Sequence, residues 1–574
     1  MLALLKRFSF ALEFFYNGGF IALYSIVNFS LVDWTLLAAN TNYGPLLQRM
    51  GKGVPLVLML VVVMNFIRMP DIAQFFRRYI FSLLILAATL ISWGDLEFCF
   101  WFTSVHILSS ILTLFEEDIR KIRIERTTLT SLFKLPPAQI VLMSFALWIA
   151  IGTVLFMLPI SAAPNVTISF VDALFMATSA SCVTGLATMS IGNSLSLFGQ
   201  MVLLVLVQIG GLGIMILYGS MAILAGKYMP LKERVVMQDL LDASNMDEII
   251  VMIVDIVRYT ILIELWGAII LTVGFTLEGF EFGRSLYLGF FHSIMAFCNA
   301  GFGLFDNSLE DFATVPLVHG TIAILIILGG VGFVVLKDLR DNLVLGFNPT
   351  RFRMHTKVVL STTGILLLAG TLLVFFGEFL SALDNYTLWE KLQISFFQSV
   401  TLRTAGFDSI AIGSLQQHTI YVMGIFMFIG GSSGSTAGGI KVTTFAILYQ
   451  SMKSILYNRP RVEAFDRTIP AYVVVKSTAL VFISMAVVAV AIFVMIKIEP
   501  SKAVLSLYFE VLSAFGTVGL STGITSDLSY AGKLVIAFIM YIGRIGPLTL
   551  ILAVGQHAES NQLVEYPEGR VLIG

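Results

Sequence analysis

Apolar and polar positions alternate along this chain in long blocks rather than residue by residue. Apolar runs of helix length stand at about 139–160, 249–276, 357–380 and 472–497. A bilayer core is crossed by about 20 apolar residues in a helix, so each run predicts a membrane helix. After each come a shorter apolar segment, a glycine turn and a second helix-length apolar run.

The four turns resemble one another. SCVTGLA (181–187), FCNAGFG (297–303), LRTAGFD (402–408) and FGTVGLS (515–521) align on Gly185, Gly301, Gly406 and Gly519. Ten residues before these glycines stand Phe175, Phe291, Phe396 and Phe509, which read as packing the short segments against the scaffold. A second mark follows roughly 25 residues later: GGLG at 210–213, GGVG at 329–332, GGSS at 430–433 and GRIG at 543–546. The leading glycine pairs of GGLG and GGVG read as helix-packing glycines. Repeats spaced by about 105 to 116 residues predict four tandem helix–pore loop–helix units around a pseudo-fourfold axis, an all-α polytopic membrane protein.

Residues 1–117 lack both marks and hold about four apolar segments, near 9–37, 54–68, 78–93 and 97–115. The expected divisions are this N-terminal extension (1–117), repeats at 118–226, 227–340, 341–453 and 454–555, and a tail at 556–574. Lys and Arg crowd the links between units: Arg120, Lys121, Arg123 and Arg126; Lys227, Lys232 and Arg234; Arg340, Arg351, Arg353 and Lys357; Arg459, Arg461 and Arg467. By the positive-inside rule these links, and both termini, are cytoplasmic. The segment between the two helices of a unit then dips in from outside and returns.

Composition narrows the class. The chain has 574 residues, 57% hydrophobic and 12% charged, against about a quarter charged in soluble domains. A net charge of −1 argues against a nucleic-acid partner. Cys99, Cys182 and Cys298 are too scattered for a disulfide framework or a metal cluster. The start MLALLKRFSF has no small-residue cleavage site, so no removable signal peptide is expected. Paired carboxylates, a nucleophile–base set and metal-ligand spacing are all missing from the sequence, so no enzyme is expected.

Non-helical backbone survives at membrane depth only when buried in protein or lining water. Glycine at such a tip reaches backbone angles closed to other residues. Successive carbonyls can then face one axis and replace an ion's hydration shell. The C-terminal ends of the short helices aim partial negative charge at the same place. The expected cation-binding tips are Val183, Thr184 and Gly185; Asn299, Ala300 and Gly301; Thr404, Ala405 and Gly406; and Thr517, Val518 and Gly519.

FIGGSSGSTAGGIK (428–441) interrupts the second helix of the third unit. Gly434 and Gly439 have P-loop spacing, but Ile440 stands where the lysine belongs, and the flanks are membrane helices. The stretch reads as an intramembrane plug beneath the tips: Gly431, Ser432, Ser433, Gly434, Ser435, Thr436, Ala437, Gly438 and Gly439, the break being expected in this repeat alone. Arg544 takes the second glycine position of the fourth mark. An arginine at mid-membrane costs about 2.5–3.5 kcal/mol on insertion scales and commonly marks an ion path. Arg403 either braces the tip from behind or sits near the mouth. Asp255 and Arg258 are expected to pair along one helix, and Glu264 and His292 to be structural.

VTGL, NAGF, RTAGF and TVGL, with QIGGLGI (208–214), GGSSGSTAGGIKVTT (430–444) and GRIGPLT (543–549), resemble the Trk/Ktr/HKT superfamily of potassium uptake proteins. The tail YPEGRVLIG (566–574) is similar to the bacterial KtrB/TrkH membrane subunit. The resemblance covers about residue 135 to the end. It implies K⁺ uptake at the tip carbonyls, with residues 431–439 and Arg544 as the gate and no cofactor. It also implies a homodimer, and a cytosolic nucleotide-binding regulatory ring of the KtrA/TrkA kind, in a bacterial inner membrane. Glycine at 185, where the family's sodium-preferring members carry serine, favours potassium by the same resemblance. Other readings stay open: a sodium-selective or sodium/proton-coupled cation transporter of this architecture, or a small-solute secondary transporter. The last usually shows two broken helices in inverted repeats.

Overall fold

The computed structural model describes Met50, residues 52–62, Leu86, and residues 137–213, 246–344 and 346–546. The tail at 556–574, the links carrying Arg120 and Lys227, and most of the N-terminal extension lie outside the described residues. The chain divides into two compact units, Met1–Leu135 and Pro136–Gly574. In the first, Lys52–Val62 is an apolar helix.

Among its described residues the second unit is helical, apart from one two-stranded hairpin over Glu463–Ala464 and Arg467–Thr468. Its described helices longer than one turn are α1 (Pro137–Met157), α2 (Phe170–Ser181), α3 (Leu197–Leu212), α4 (Met246–Leu277), α5 (Phe282–Phe297), α6 (Pro316–Val331) and α7 (Phe333–Val344). They continue with α8 (Met354–Glu378), α9 (Leu388–Thr401), α10 (Gln417–Met427), α11 (Val442–Leu456), α12 (Ala471–Ile498), α13 (Val504–Gly516) and α14 (Tyr530–Ile545). Among the described residues, Met252–Leu277 of α4, together with α8 and α12, is long and apolar enough to cross a membrane. Their outward faces suit lipid: Ile365, Leu368, Phe482 and Phe493 are exposed, and helices apolar all round belong in a bilayer or a core.

Local chemistry starts and stops the short helices. Ser169, Ser196 and Ser529 cap α2, α3 and α14 by accepting a backbone N–H at N3. Thr387 and Glu390 close a capping box on α9, and Pro316 opens α6 at its first turn. Gly213, Gly332 and Gly546, the last glycine of three marks, end α3, α6 and α14 at φ of 84°, 92° and 91°. A Cβ disfavours that region, so glycine is the stop.

Each unit folds on itself first. The leading helix packs along the short one that follows: α1 on α2, α4 on α5, α8 on α9 and α12 on α13. The second helix then packs on the short helix of the next unit: α3 on α5, α6 on α9, α10 on α13, and α14 back on α2. The cycle closes. One contact illustrates each joint. Tyr287 Oη donates to Gln200 Oε1 at 2.6 Å, and His319 stacks on Phe397 with ring centroids 4.0 Å apart. Tyr508 Oη donates to Tyr421 O at 3.3 Å, and Lys533 Nζ lies 2.8 Å from Asp172 Oδ1.

Three expectations change here. Phe175, Phe291 and Phe509 are buried, but Phe396 is 40% exposed and its neighbour Phe397 is fully buried. The turn of the third unit is one residue shorter: Ala405 N donates to Thr401 O, four back, where Ala300 N donates to Met295 O, five back. Second, the break is not confined to the third unit, because α6 and α7 meet at 103° across Gly332. Third, Asp255 faces Lys337 of α7 at 4.0 Å rather than Arg258.

Candidate functional site

The four tips share one backbone signature. Two residues before each glycine, Val183, Asn299, Thr404 and Thr517 have φ of 57°, 59°, 71° and 51°. The glycines Gly185, Gly301, Gly406 and Gly519 follow at 99°, 67°, 78° and 95°. Asparagine tolerates the left-handed region, but β-branched valine and threonine are outliers there. Such strain costs about 1–3 kcal/mol per residue and collects at functional sites. Packing over-determines it here, since Val183, Asn299, Thr404 and Thr517 are all buried, as are Gly185 and Gly406, with Gly301 and Gly519 partly so.

The glycines meet in a ring. A Cβ on Gly185 would fall against Ala300 O, one on Gly301 2.7 Å from Ala405 O, one on Gly406 2.6 Å from Val518 O, and one on Gly519 against Thr184 O. Each unit thus presents the carbonyl before its own glycine to the preceding unit, and the fourth is served by the first. No larger residue fits any of the four positions as they stand. The first and fourth tips are built alike. Ser179 and Ser513 each accept from the tip backbone twice: O from Thr184 N and Val518 N at 2.8 Å, Oγ from Gly185 N and Gly519 N at 3.1 Å. Ser181, Thr184 and Thr517 carry buried hydroxyls without a hydrogen-bond partner among the described residues. The leading glycines of the second marks pack directly behind the tips. Cβ atoms on Gly210, Gly329 and Gly543 would strike Ser181 O, Phe297 O and Phe515 O.

The 428–441 loop lies under this ring and fastens to all four units. Its base is closed by a parallel bridge between Ile429 and Ile440, with Gly430 N donating to Ile440 O at 2.8 Å and Val442 N to Gly431 O at 2.9 Å. Towards the second unit, Ser432 N donates to Gly330 O at 2.9 Å, and Phe333 N to Gly434 O at 3.0 Å. Thr436 Oγ1 donates to Phe297 O at 3.2 Å and Gly329 O at 3.1 Å. Towards the fourth unit, Gly438 and Gly439 pass so close to Thr517 and Gly516 that a Cβ on Gly438 would strike Thr517 Oγ1. Within the loop, Ser435 Oγ donates to Ser432 O at 2.7 Å, and Lys441 Nζ to Ala437 O at 2.7 Å.

Two arginines finish the arrangement. Arg544 donates to Thr436 O in the loop and to Gly210 O and Gly211 O at the end of α3, so one guanidinium ties the loop to the first and fourth units. Arg403 is buried behind the third tip and donates to Gly430 O, at the start of the loop, at 3.1 Å. It braces from behind; the mouth position is excluded. Hydrogen-bond geometry, not spacing, reveals that link. Glu264 is held by Gln208 Nε2 at 3.0 and 3.2 Å. His292 lies buried with Nδ1 2.8 Å from Leu288 O, stacked on Phe305. Beyond the tips, outside the spans, Leu309 N donates to Asp408 O at 3.0 Å and joins the second and third units. There burial, then Asp311, raise the Glu310 carboxyl above its usual range.

These features define a mostly helical, multi-pass membrane protein whose four glycine tips meet in a ring. The chain belongs to the TrkH family of cation transport proteins, which it matches over residues 136–566. It is 39% identical over 440 residues to Ktr system potassium uptake protein B of Bacillus subtilis, covering 76% of this chain and 97% of that one. It is 37% identical over 450 residues to the potassium/sodium uptake protein NtpJ of Enterococcus hirae, covering 77% and 98%. The crystal structure of the potassium transporter TrkH from Vibrio parahaemolyticus has the same fold, with a TM-score of 0.58 at 18% identity over 88% of this chain and 97% of that one.

Proposed function

We propose that this protein takes up potassium across the cell membrane, through the glycine ring as selectivity filter and past the 431–439 loop and Arg544 as gate. The observation that carries the reading is the closed cycle of glycines and carbonyls, each glycine seated on the carbonyl of the next unit. An entering K⁺ exchanges water for the carbonyls of Thr184, Ala300, Ala405 and Val518. The unpartnered hydroxyls of Thr184 and Thr517 support this, as oxygen donors left unspent at the tips. The short helices α2, α5, α9 and α13 end at the tips and add partial negative charge.

Below the ring the ion meets the loop. Arg544 holds it closed through Thr436 O, and its charge repels a cation strongly where the dielectric is low. Opening requires the loop to leave Gly329, Gly330 and Arg544 together. The break in the second unit supports a moving part, since α7 starts on Gly434 O. A homodimer and a cytosolic nucleotide-binding regulatory ring of the KtrA/TrkA kind belong to this reading. Their support is family membership and the Ktr system named for the Bacillus relative. Sodium remains the competing substrate, because the Enterococcus relative is named for both ions.

Growth on limiting potassium tests the reading. Cells stripped of their own uptake systems should grow when they express the chain, better with its cytosolic partner. No rescue with the protein present in the membrane would sink it, and equal inhibition of rubidium uptake by sodium and potassium would transfer the reading to sodium.

A further inference from the structure

The structure assigns a second binding site to this chain, away from the ring. A cleft of about 550 Å³ opens between α8, α11, the hairpin and the start of α12. Its walls are mainly apolar: Val358, Ile365, Phe445, Ala446 and Ile469 line it. Ile365 is 67% exposed, so the cleft opens on the face that α8 turns to lipid. At Gln450, Ala464 and Phe465 it shares its wall with a smaller hollow of about 200 Å³. That hollow is polar, lined by Lys453, Ser454, Arg459 and Glu463. Glu463 engages Arg459 only loosely, at 3.9 Å, and both are about half exposed, so the hollow keeps a net positive charge.

An apolar slot joined to a cationic hollow at the end of membrane helices is the shape of an amphiphile. We propose that it binds one anionic phospholipid, with an acyl chain in the cleft and the phosphate at Lys453 and Arg459. Basic pockets between membrane helices hold anionic headgroups for this reason. The site also touches the loop under the ring. Thr443 lines the cleft, and its hydroxyl meets Ser433 Oγ at 3.2 Å. Lipid in the cleft therefore bears on the first turn of α11, which carries one anchor of that loop. Binding stands apart from the transport reading; its effect on uptake rests on it.

Native mass spectrometry of the purified full-length chain, with phosphatidylglycerol or phosphatidylcholine added after delipidation, tests the site. The expected result is one retained phosphatidylglycerol per chain, preferred roughly tenfold over phosphatidylcholine. Lys453→Glu with Arg459→Glu, both at the exposed rim, should abolish the preference. Ala446→Trp and, from the opposite wall, Ser361→Trp should fill the cleft and abolish retention. Unchanged preference after charge reversal overturns the proposal, and so does unchanged retention in a monodisperse tryptophan variant. If neither tryptophan variant folds, the charge-reversal result decides alone. Binding to monomer but not dimer would give the cleft to a second copy and also overturn it. Lipid retained by a chain that fails to rescue growth would count against the transport reading and leave this site intact.

Discussion

At the residue scale the ring rests on what a Cβ would displace. Gly185 has φ of 99° and sits on Ala300 O. Serine there adds about 1–2 kcal/mol of left-handed strain and forces the carbonyl aside. Gly185→Ser should lower the preference for potassium over sodium several-fold without removing the protein from the membrane. Competition of sodium against rubidium uptake reads this, and unchanged competition would take Gly185 out of the filter. The glycines were legible in the sequence because four units share one need at one spacing. Val183, Thr404 and Thr517 were legible as neighbours but not as strained, since β-branched residues rarely adopt positive φ. Phe396 holds the repeat spacing while Phe397 takes the buried place, because a turn shortened by one hydrogen-bond step leaves no mark in the spacing. Arg403 takes its place from its bond to Gly430 O, a partner 27 residues away that no local pattern marks.

At the element scale the third unit trades a continuous helix for a loop whose backbone is satisfied partly within itself and partly by Gly329, Gly330 and Arg544. Gly, Ser and Thr announced the break, because a membrane helix does not carry such a run without cause. The bend after α6 was hidden, since Gly332 stands in an apolar run and glycine is common in membrane helices. The two breaks are one device: Phe333 N, freed at the bend, is taken by Gly434 O. Deleting Ser432 to Ala437 removes the bonds to Gly330 and Gly329 and the Arg544 acceptor Thr436 together. Maximal rubidium uptake per purified protein should rise, and depend less on the cytosolic partner, with little change in apparent affinity, because the tips keep their own hydrogen bonds. Loss of uptake in folded protein would make the loop a strut and move the gate elsewhere.

At the scale of the whole molecule, four units in one chain need a joint between the last and the first, and nothing local in the sequence announces it. Repeat order and charge implied a ring; the partners across its seam are 361 residues apart. There Lys533 of α14 reaches Asp172 in the first turn of α2, with side chains 9% and 21% exposed. Breaking a fully buried pair costs about 3–5 kcal/mol, because one charge is left alone. The partial exposure of Asp172 brings the cost here below that range. Removing both charges leaves no orphan, so the pair's own contribution is smaller than either single loss. Asp172→Ala and Lys533→Met should each lower the thermal midpoint of the purified chain. The double substitution should sit above the sum of the two losses. If the seam holds the ring closed, the single variants should also lose potassium preference, although neither touches a tip, and the double should regain part of it. Strictly additive midpoints, with selectivity untouched in all three, would show that the seam is held by packing of α14 on α2 alone and that this ion pair does not carry the closure.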